Sequence, residues 1–545
     1  MAWDTRGARR FGVGFMVGWI IAIAAPAHAQ HSNRASPNVP VGHWAYRYVD
    51  KLVGFGLVRS DTKGTLPWTR AEFARLLTEA VLASDGGGPT LNPGYRPYLD
   101  RLLREFGDEF AAYDDAIPGG FDTYFKPVDS LRVRVAAGNL KPRVAAVTGS
   151  RAVEGTPLYH NQDGFLVVEN WSTLADLTVI GRLWGPIAFE ATPIFAWRDD
   201  SNSVGVAALD DPLDVDLLRG AIKLQALGTE WEFRRDTLWW GPARRSSLIL
   251  SNHSPAFDMV KLSNPEPYLL PGIGRYLGLI KFVFFVGRLN EQRVRASTRP
   301  FVTLHPLLIG TRLSLKPLPW FELGLTRTIV ARTRLENGKR LSAGDWFKVF
   351  AGQNIGGAAD TSNQLAGIDG LVRLPFLRNT ELYAQMIGED EAGGLPTDRS
   401  YIFGAYIPRL TADGALDLRL ETTFTVAQYS VSSSFIDGYT HDRLSIGSPV
   451  GPDAFELWGR ATYDPRPDVT VGVEAAYWTR GSGRSTTPNA QDEKSYSFKA
   501  DLGWWVTDYL ELRLEGGYER ISNFNFAKGA GQSNGFVLGE ARLDF

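Results

Sequence analysis

Apolar and polar residues alternate one by one through most of the chain after Asp129. The run 416–424 reads LDLRLETTF, and the same period returns in 468–477 and 510–519. Successive side chains of a β-strand point to opposite faces, so this period gives each strand one apolar and one charged face. The runs are about 9–11 residues long, the length of a tilted strand that crosses a bilayer. The pattern predicts a transmembrane β-barrel with an apolar outside and a polar interior over residues 130–545.

The connections between these runs differ in length, which supports the barrel over a soluble β-sandwich. Short turns alternate with long polar segments, and outer-membrane barrels have short periplasmic turns and long outer loops. The chain ends on the alternating run VLGEARLDF, which is similar to the C-terminal strand of bacterial outer-membrane proteins. Roughly sixteen to twenty candidate strands of this length can be counted along the sequence. The short turns are 316–319, 411–414, 464–467 and 506–508, and the long segments are 388–399, 430–452, 479–494 and 521–534.

Before Asp129 the period is helical. Trp44, Tyr48 and Leu52 lie three or four residues apart within 43–55, and 95–113 repeats the pattern. Between them, Thr69 is predicted to cap a second helix, with Glu72 completing a capping box. Residues 43–115 are therefore predicted to form a small helical bundle, a periplasmic plug module, preceded by a linker over 30–42.

The first 29 residues have the pattern of a cleaved signal peptide. Three arginines precede an uncharged run, 11–25, and the small-x-small triplet AHA follows at 27–29. That run is shorter than the about 20 residues that a membrane-spanning helix needs, which disfavours the alternative of a membrane anchor. The pattern predicts export to the outer membrane of a Gram-negative bacterium.

Composition narrows the chemistry. The net charge of -2 argues against a nucleic-acid partner, and the chain has no cysteine. Its seven histidines are scattered, without an HxxxH pair, so we expect neither a metal nor another cofactor. Because no set of nucleophile, base and orienting residue can be named, we also expect no catalysis.

One segment combines residue types that suit an acidic sugar polymer. Residues 239–257 read WWGPARRSSLILSNHSPAF. Its tryptophans could stack on sugar rings and its arginines could bind uronic-acid carboxylates with two hydrogen bonds. Alternatively, the tryptophans belong to the aromatic girdle at the membrane interface and the arginines pair with carboxylates in the lumen. The candidate polysaccharide-binding residues are Trp239, Trp240, Arg244, Arg245, Ser247, Asn252 and His253.

The same segment carries a family resemblance. WWGP, a short basic and polar spacer and SLILSN resemble the capsule assembly Wzi family, with the clearest similarity over 229–261. The resemblance implies an outer-membrane barrel of about 18 antiparallel strands, closed at its periplasmic end by a helical bundle, that holds capsular polysaccharide. HWAY, LVGFGLV and TRAEFARLL also resemble one S-layer homology repeat, but a single copy favours a structural bundle.

These observations predict an all-β membrane barrel with a small N-terminal helical bundle. It is expected to bind exported capsular polysaccharide and help to assemble or retain it at the cell surface. Its other expected contact is outer-membrane lipid, and a monomer is expected. Two alternatives stay open at this point: a porin-like channel for sugars or other small solutes, and an outer-membrane enzyme that acts on glycans.

Overall fold

The two-residue period folds into a closed antiparallel barrel of 18 strands in the computed structural model. The predicted signal peptide, 1–29, lies outside the residues that the structure describes. The described residues are 34–86, 92–113, 123–141, 143–144, 150–154, 169–199, 213–295, 301–334, 339–350, 362–392, 395–483 and 487–545, together with 156, 158, 163, 167 and 485.

Each strand pairs with the next along the chain, and the last strand pairs with the first to close the barrel. The strands are β1 Tyr124–Asn139, β2 Glu169–Leu183, β3 Ile187–Arg198, β4 Leu213–Ala226, β5 Thr229–Asp236, β6 Phe257–Ser263, β7 Leu279–Arg288, β8 Leu307–Leu318, β9 Phe321–Ala331, β10 Ser362–Leu374, β11 Thr380–Ala392, β12 Leu395–Ile407, β13 Leu416–Thr425, β14 Ala454–Arg466, β15 Val469–Arg480, β16 Glu493–Trp505, β17 Leu510–Ser522 and β18 Gly531–Asp544.

The barrel is apolar outside and charged inside, as the alternation predicts. On β5, Trp231 and Phe233 are 50% and 67% exposed, whereas Glu232 and Arg234 between and beside them are buried. Arg234 Nη1 lies 3.0 Å from Glu232 Oε2 inside the lumen. An outward apolar face with paired charges inside is the arrangement that a lipid-embedded barrel requires.

Most connections at one end of the barrel, here called the short-turn end, are short, with 264–278 as an exception. Most connections at the other end, the long-loop end, are long, except between β11 and β12, which are two residues apart. Two sequence predictions about the connections were wrong. Residues 388–399 are mostly strand, because β11 and β12 stay paired as far as Ala392 and Leu395 across two register shifts. If the tight turn at 228–229 is periplasmic, the sequence places 241–275 on the outer side; instead, β6 crosses the wall within these residues. The polar composition of these segments is typical of loops, but backbone hydrogen bonds to neighbouring strands place parts of them in the barrel wall.

The helical module lies inside the short-turn end of the barrel. Its helices are α1 Ala45–Phe55, α2 Arg70–Asp85, α3 Arg96–Glu105 and α4 Gly107–Tyr113. Thr69 caps α2 by accepting a hydrogen bond from the backbone N–H of Glu72 at 3.0 Å. The return arm of the predicted capping box does not form, because the carboxylate of Glu72 lies 3.2 Å from Lys281 of the barrel wall instead.

Ion pairs fix the module to the wall beside the short turns. Arg47 lies 2.6 Å from Asp464, and Lys51 lies 2.7 Å from Asp417. Residues 34–42, predicted as a linker, also lie against the wall: Lys223 Nζ donates to the carbonyl of Ser36 at 2.8 Å. Among the described residues, no helix is long and apolar enough to cross a membrane.

Candidate functional site

The segment 237–256, which connects β5 to β6, starts at the long-loop end and folds down into the lumen. Trp239 and Trp240 pair in antiparallel register with Leu66 and Thr65 of the helical module. The N–H of Gly241 then donates to the carbonyl of Gly64 at 2.9 Å. This infolded loop therefore joins the outer end of the barrel to the module at the opposite end.

Glycine is required where the infolded loop turns. Gly241 has a φ of +134°, a conformation that residues with a side chain rarely adopt. A Cβ atom there would lie 2.7 Å from the side-chain amide of Gln385. That amide is itself held by the carbonyl of Trp240 at 2.8 Å and by the N–H of Leu248 at 2.9 Å.

Both tryptophans of the segment are buried. The indole of Trp239 donates to the carbonyl of Ala243 at 2.9 Å and belongs to the apolar core of the module. Trp240 packs edge-on against Phe285 inside the barrel, with 5.5 Å between ring centroids. In this arrangement the tryptophans lie in neither an outer aromatic girdle nor a surface accessible to a polymer.

The side chain of Arg245 binds a carboxylate of the lumen, in the manner of the alternative interpretation, whereas Arg244 contacts one through its backbone. Arg245 Nη2 lies 2.8 Å from Glu456, and its guanidinium lies 5.5 Å from the centre of the Trp458 ring. The backbone N–H groups of Arg244 and Arg245 both donate to Glu421 at 2.9 Å. The side chain of Arg244 is half-buried.

The remaining candidates hold the loop in shape. Ser247 donates to the carbonyl of Trp240 at 2.5 Å. Asn252 and His253 are buried, and burial lowers the pKa of His253 to about 4, so the imidazole is neutral near pH 7. In this structure the seven candidates therefore serve as packing and hydrogen-bonding groups within the protein.

A second long connection, 426–453, covers the infolded loop. Tyr429 Oη donates to the carbonyl of Leu248 at 2.7 Å, and Ser246 and Ser448 share a hydrogen bond of 3.1 Å. The N–H of Ser251 donates to the carbonyl of Ile446 at 2.9 Å. The sequence did not single out Tyr429, because an isolated tyrosine in a polar stretch has no period that distinguishes it from a surface residue.

At the long-loop end, where other connections meet this covering connection, lies a small cluster, here called the rim cluster: Arg151, Arg293, Phe301 and Asp437. Arg151 lies 3.4 Å from Asp437, and the Arg293 guanidinium lies 5.5 Å from the centre of the half-exposed Phe301 ring. Burial would raise the pKa of Asp437, but hydrogen bonds from Arg293 and from backbone N–H groups hold it below its usual range. The carboxylate therefore stays charged and keeps both arginines at the rim.

A small polar cavity, open to solvent, lies between the module and strands β1 to β3. Its walls carry both signs of charge, already arranged in pairs such as Arg132 with Asp176 at 2.8 Å and Arg219 with Asp163 at 2.6 Å. Within the described part of the chain, no group of three or more acidic or histidine side chains is placed to hold a metal ion.

Comparison with known proteins agrees with this architecture. The structure superposes with a TM-score of 0.64 and 16% identity on Wzi, an outer-membrane protein involved in group 1 capsule assembly in Escherichia coli and described as a carbohydrate-binding β-barrel. The match covers 94% of this chain and 100% of that one. OccK5 (OpdH) of Pseudomonas aeruginosa matches 78% of this chain and 98% of its own, with 11% identity and a TM-score of 0.44.

Sequence comparison identifies the family. An uncharacterized 55.8 kDa protein in the cps region of Klebsiella pneumoniae is 28% identical over 194 residues. That alignment covers 34% of this chain and 35% of the Klebsiella protein, about a third of each. The family model described as capsule assembly protein Wzi matches residues 140–535, well over half of the chain. The chain therefore belongs to the capsule assembly protein Wzi family.

Proposed function

We propose that this outer-membrane barrel binds exported capsular polysaccharide at the cell surface and helps to assemble or retain it there. Membership of the capsule assembly family supports this proposal. So does the likeness in fold to a barrel described as carbohydrate-binding. The protein acts as a binding element without catalysis, and a single copy of the chain is sufficient.

The observation that carries the proposal is that chain segments enter the lumen from both ends and meet inside it. The helical module occupies the short-turn end, and the infolded loop reaches down from the long-loop end to pair with it at Thr65–Leu66. A channel needs an aqueous path, whereas a surface-binding protein needs a rigid platform for its outer loops. The filled lumen favours the platform, with the module at the periplasmic side.

The polymer is held by the outer surface that the lumenal segments support. The seven candidates of the infolded loop act indirectly, because they fix the loop on which the covering connection rests. They are Trp239, Trp240, Arg244, Arg245, Ser247, Asn252 and His253. Arg151 and Arg293 of the rim cluster contact acidic groups of the polymer, because a guanidinium forms strong paired hydrogen bonds with carboxylates. Phe301 offers an apolar ring face to a sugar.

Binding of purified acidic polysaccharide to the folded protein tests this assignment. The variant Arg151→Gln/Arg293→Gln/Phe301→Ala should bind several-fold more weakly, with the difference from the parent largest at low salt, where exposed charges are least screened. Arg466→Gln is the matched control, because it removes an exposed arginine at the short-turn end. Heat-modifiable migration on a gel checks that each barrel is folded. Equal binding by the parent and the rim variant would exclude the rim cluster as the contact surface.

A further inference from the structure

A short helix lies against the outside of the barrel wall at the long-loop end. This helix, α5, spans Ala343–Phe350 in the connection between β9 and β10. Ile309 and Ile329 point outward from β8 and β9, yet each is only 3% exposed, because Val349 of α5 packs over them. Leu325, on the same outward face of β9 but farther from the rim, is 42% exposed.

Both ends of α5 are fixed by specific hydrogen bonds. At its start, Ser342 and Asp345 bond reciprocally: the N–H of Asp345 donates to Ser342 Oγ at 3.2 Å, and the N–H of Ser342 donates to Asp345 at 2.9 Å. At its end, two wall residues satisfy the carbonyls that a helix leaves unpaired. Arg327 donates to Phe350 at 2.9 Å and Gln364 donates to Val349 at 3.1 Å. The helix is therefore attached to the wall by specific hydrogen bonds as well as by apolar contact.

The wall residues that hold α5 also indicate its depth in the membrane. Arg327 and Gln364 stand on the outward face of their strands, where lipid is expected. An outward arginine is costly at the bilayer midplane and costs little near the interface. The position of Arg327 therefore places α5 at the interface of the outer leaflet.

The surface that α5 turns away from the wall combines apolar and cationic side chains. Phe347 is 66% and Phe350 is 41% exposed, and Lys348 between them is exposed as well. Lys339 and Arg340, just before the helix, are exposed too, against one acidic residue, Asp345, within it. Aromatic residues beside lysine and arginine are the composition of helices that lie in a membrane interface and contact anionic headgroups.

We propose that α5 is a lipid-binding element that anchors the rim of the barrel in the outer leaflet. Phe347 and Phe350 enter the acyl-chain boundary, while Lys348, with Lys339 and Arg340, contacts the phosphate groups of the anionic glycolipid there. The exposed surface of α5 is continuous with the outward apolar face of the barrel wall. We therefore assign α5 to lipid and not to the exported polymer. This role is independent of polysaccharide binding at the rim cluster.

The absence of cysteine from the chain allows a direct test with single spin labels. A label at Phe347→Cys is compared with one at Phe403→Cys, on the lipid-facing wall, and one at Ser433→Cys, in an exposed loop. The full-length protein is reconstituted in vesicles that contain lipopolysaccharide. Collisions with oxygen, which dissolves in lipid, and with a water-soluble nickel chelate report the depth of each label.

The label at 347 should resemble the wall label, with several-fold fewer collisions with nickel than the label at 433. Lys348→Glu/Arg340→Glu should bring the label at 347 back toward water in these vesicles, because a reversed charge is repelled by the phosphates. A label at 347 as open to nickel as the one at 433 would overturn the proposal. So would shielding that appears only after polysaccharide or another protein is added, or shielding that the charge reversal leaves unchanged.

Discussion

Asp61 connects the helical module to two cations of the barrel wall. Its buried carboxylate lies 2.9 Å from Lys316 and 3.0 Å from Arg373. Asp61→Asn would leave both cations buried without their charge partner, which costs about 3–5 kcal/mol for a buried ion pair. We expect the barrel to lose its heat-resistant gel form at a lower temperature. Asp85→Asn, at the exposed end of α2, removes the same charge and should leave that temperature unchanged.

The same carboxylate sets a pH dependence of stability. Burial would raise the pKa of Asp61, but Arg373, Lys316 and Lys63 lower it well below its usual range. A lowered folded-state pKa stabilises the protein fully above the unfolded pKa of about 3.9 and loses that effect as pH falls toward the lower value. The stability difference between the parent and Asp61→Asn should therefore be constant near neutral pH and shrink only in strong acid. A difference that already shrinks between pH 7 and pH 5 would contradict this assignment.

The sequence predicts the role of a residue where its partners are close in the chain, and it misses that role where the partners are distant. Thr69 is read correctly as a helix cap, because the hydrogen bond to Glu72 is formed within three residues. Trp239 and Trp240 stand out in the sequence as polysaccharide-binding candidates, but their burial depends on a partner, Thr65–Leu66, that is far away in the chain. The sequence could not show that this segment is buried inside the barrel.

The position of the infolded loop should depend on Gly241, the residue at which the loop turns. Gly241→Ala adds a Cβ 2.7 Å from the Gln385 amide at a φ of +134°. Such backbone strain costs on the order of 1–3 kcal/mol. The loop should then separate from the module more often, seen as faster hydrogen exchange of the 239–241 amides. Gly539→Ala is the control, because nothing lies within 4 Å of its Cβ. Unchanged exchange in Gly241→Ala would show that the loop is not held at this residue.

Elements with a strong period are predicted well, and those without one are not. The strands and the helices of the module follow from periods of two and 3.6 residues. The path of 237–256 into the lumen has no such signature, because its backbone is ordered by distant groups such as Glu421 and Gln385. The outside helix α5 was missed for a related reason: it is short, and its partners are wall residues on other strands.

For the whole molecule, the filled lumen predicts poor conduction. The intact protein in planar bilayers should show low, infrequent ion currents, because the module and the infolded loop occupy opposite ends and meet at Thr65–Leu66. Deletion of 43–113 should raise the conductance of barrels that still migrate in the heat-modifiable form. High and steady conductance from the intact protein would favour the porin-like alternative.

The barrel has three surfaces with different roles. The short-turn end holds the module, the apolar wall is the surface that we expect to contact lipid, and the long-loop end carries the rim cluster that we propose for the polymer. If this division is right, loss of the rim cluster changes polymer attachment without changing the barrel or its place in the membrane. Stability variants such as Asp61→Asn should instead lower the amount of folded protein.

The most direct test is the fraction of capsular polysaccharide that stays on cells, measured against the fraction shed into the medium. A strain without this protein is complemented either with the parent or with Arg151→Gln/Arg293→Gln/Phe301→Ala at equal amounts of folded barrel. The parent should restore attached polymer, and the rim variant should shed it while total polymer stays constant. Attachment that is unaffected by removal of the whole protein would contradict the proposed function.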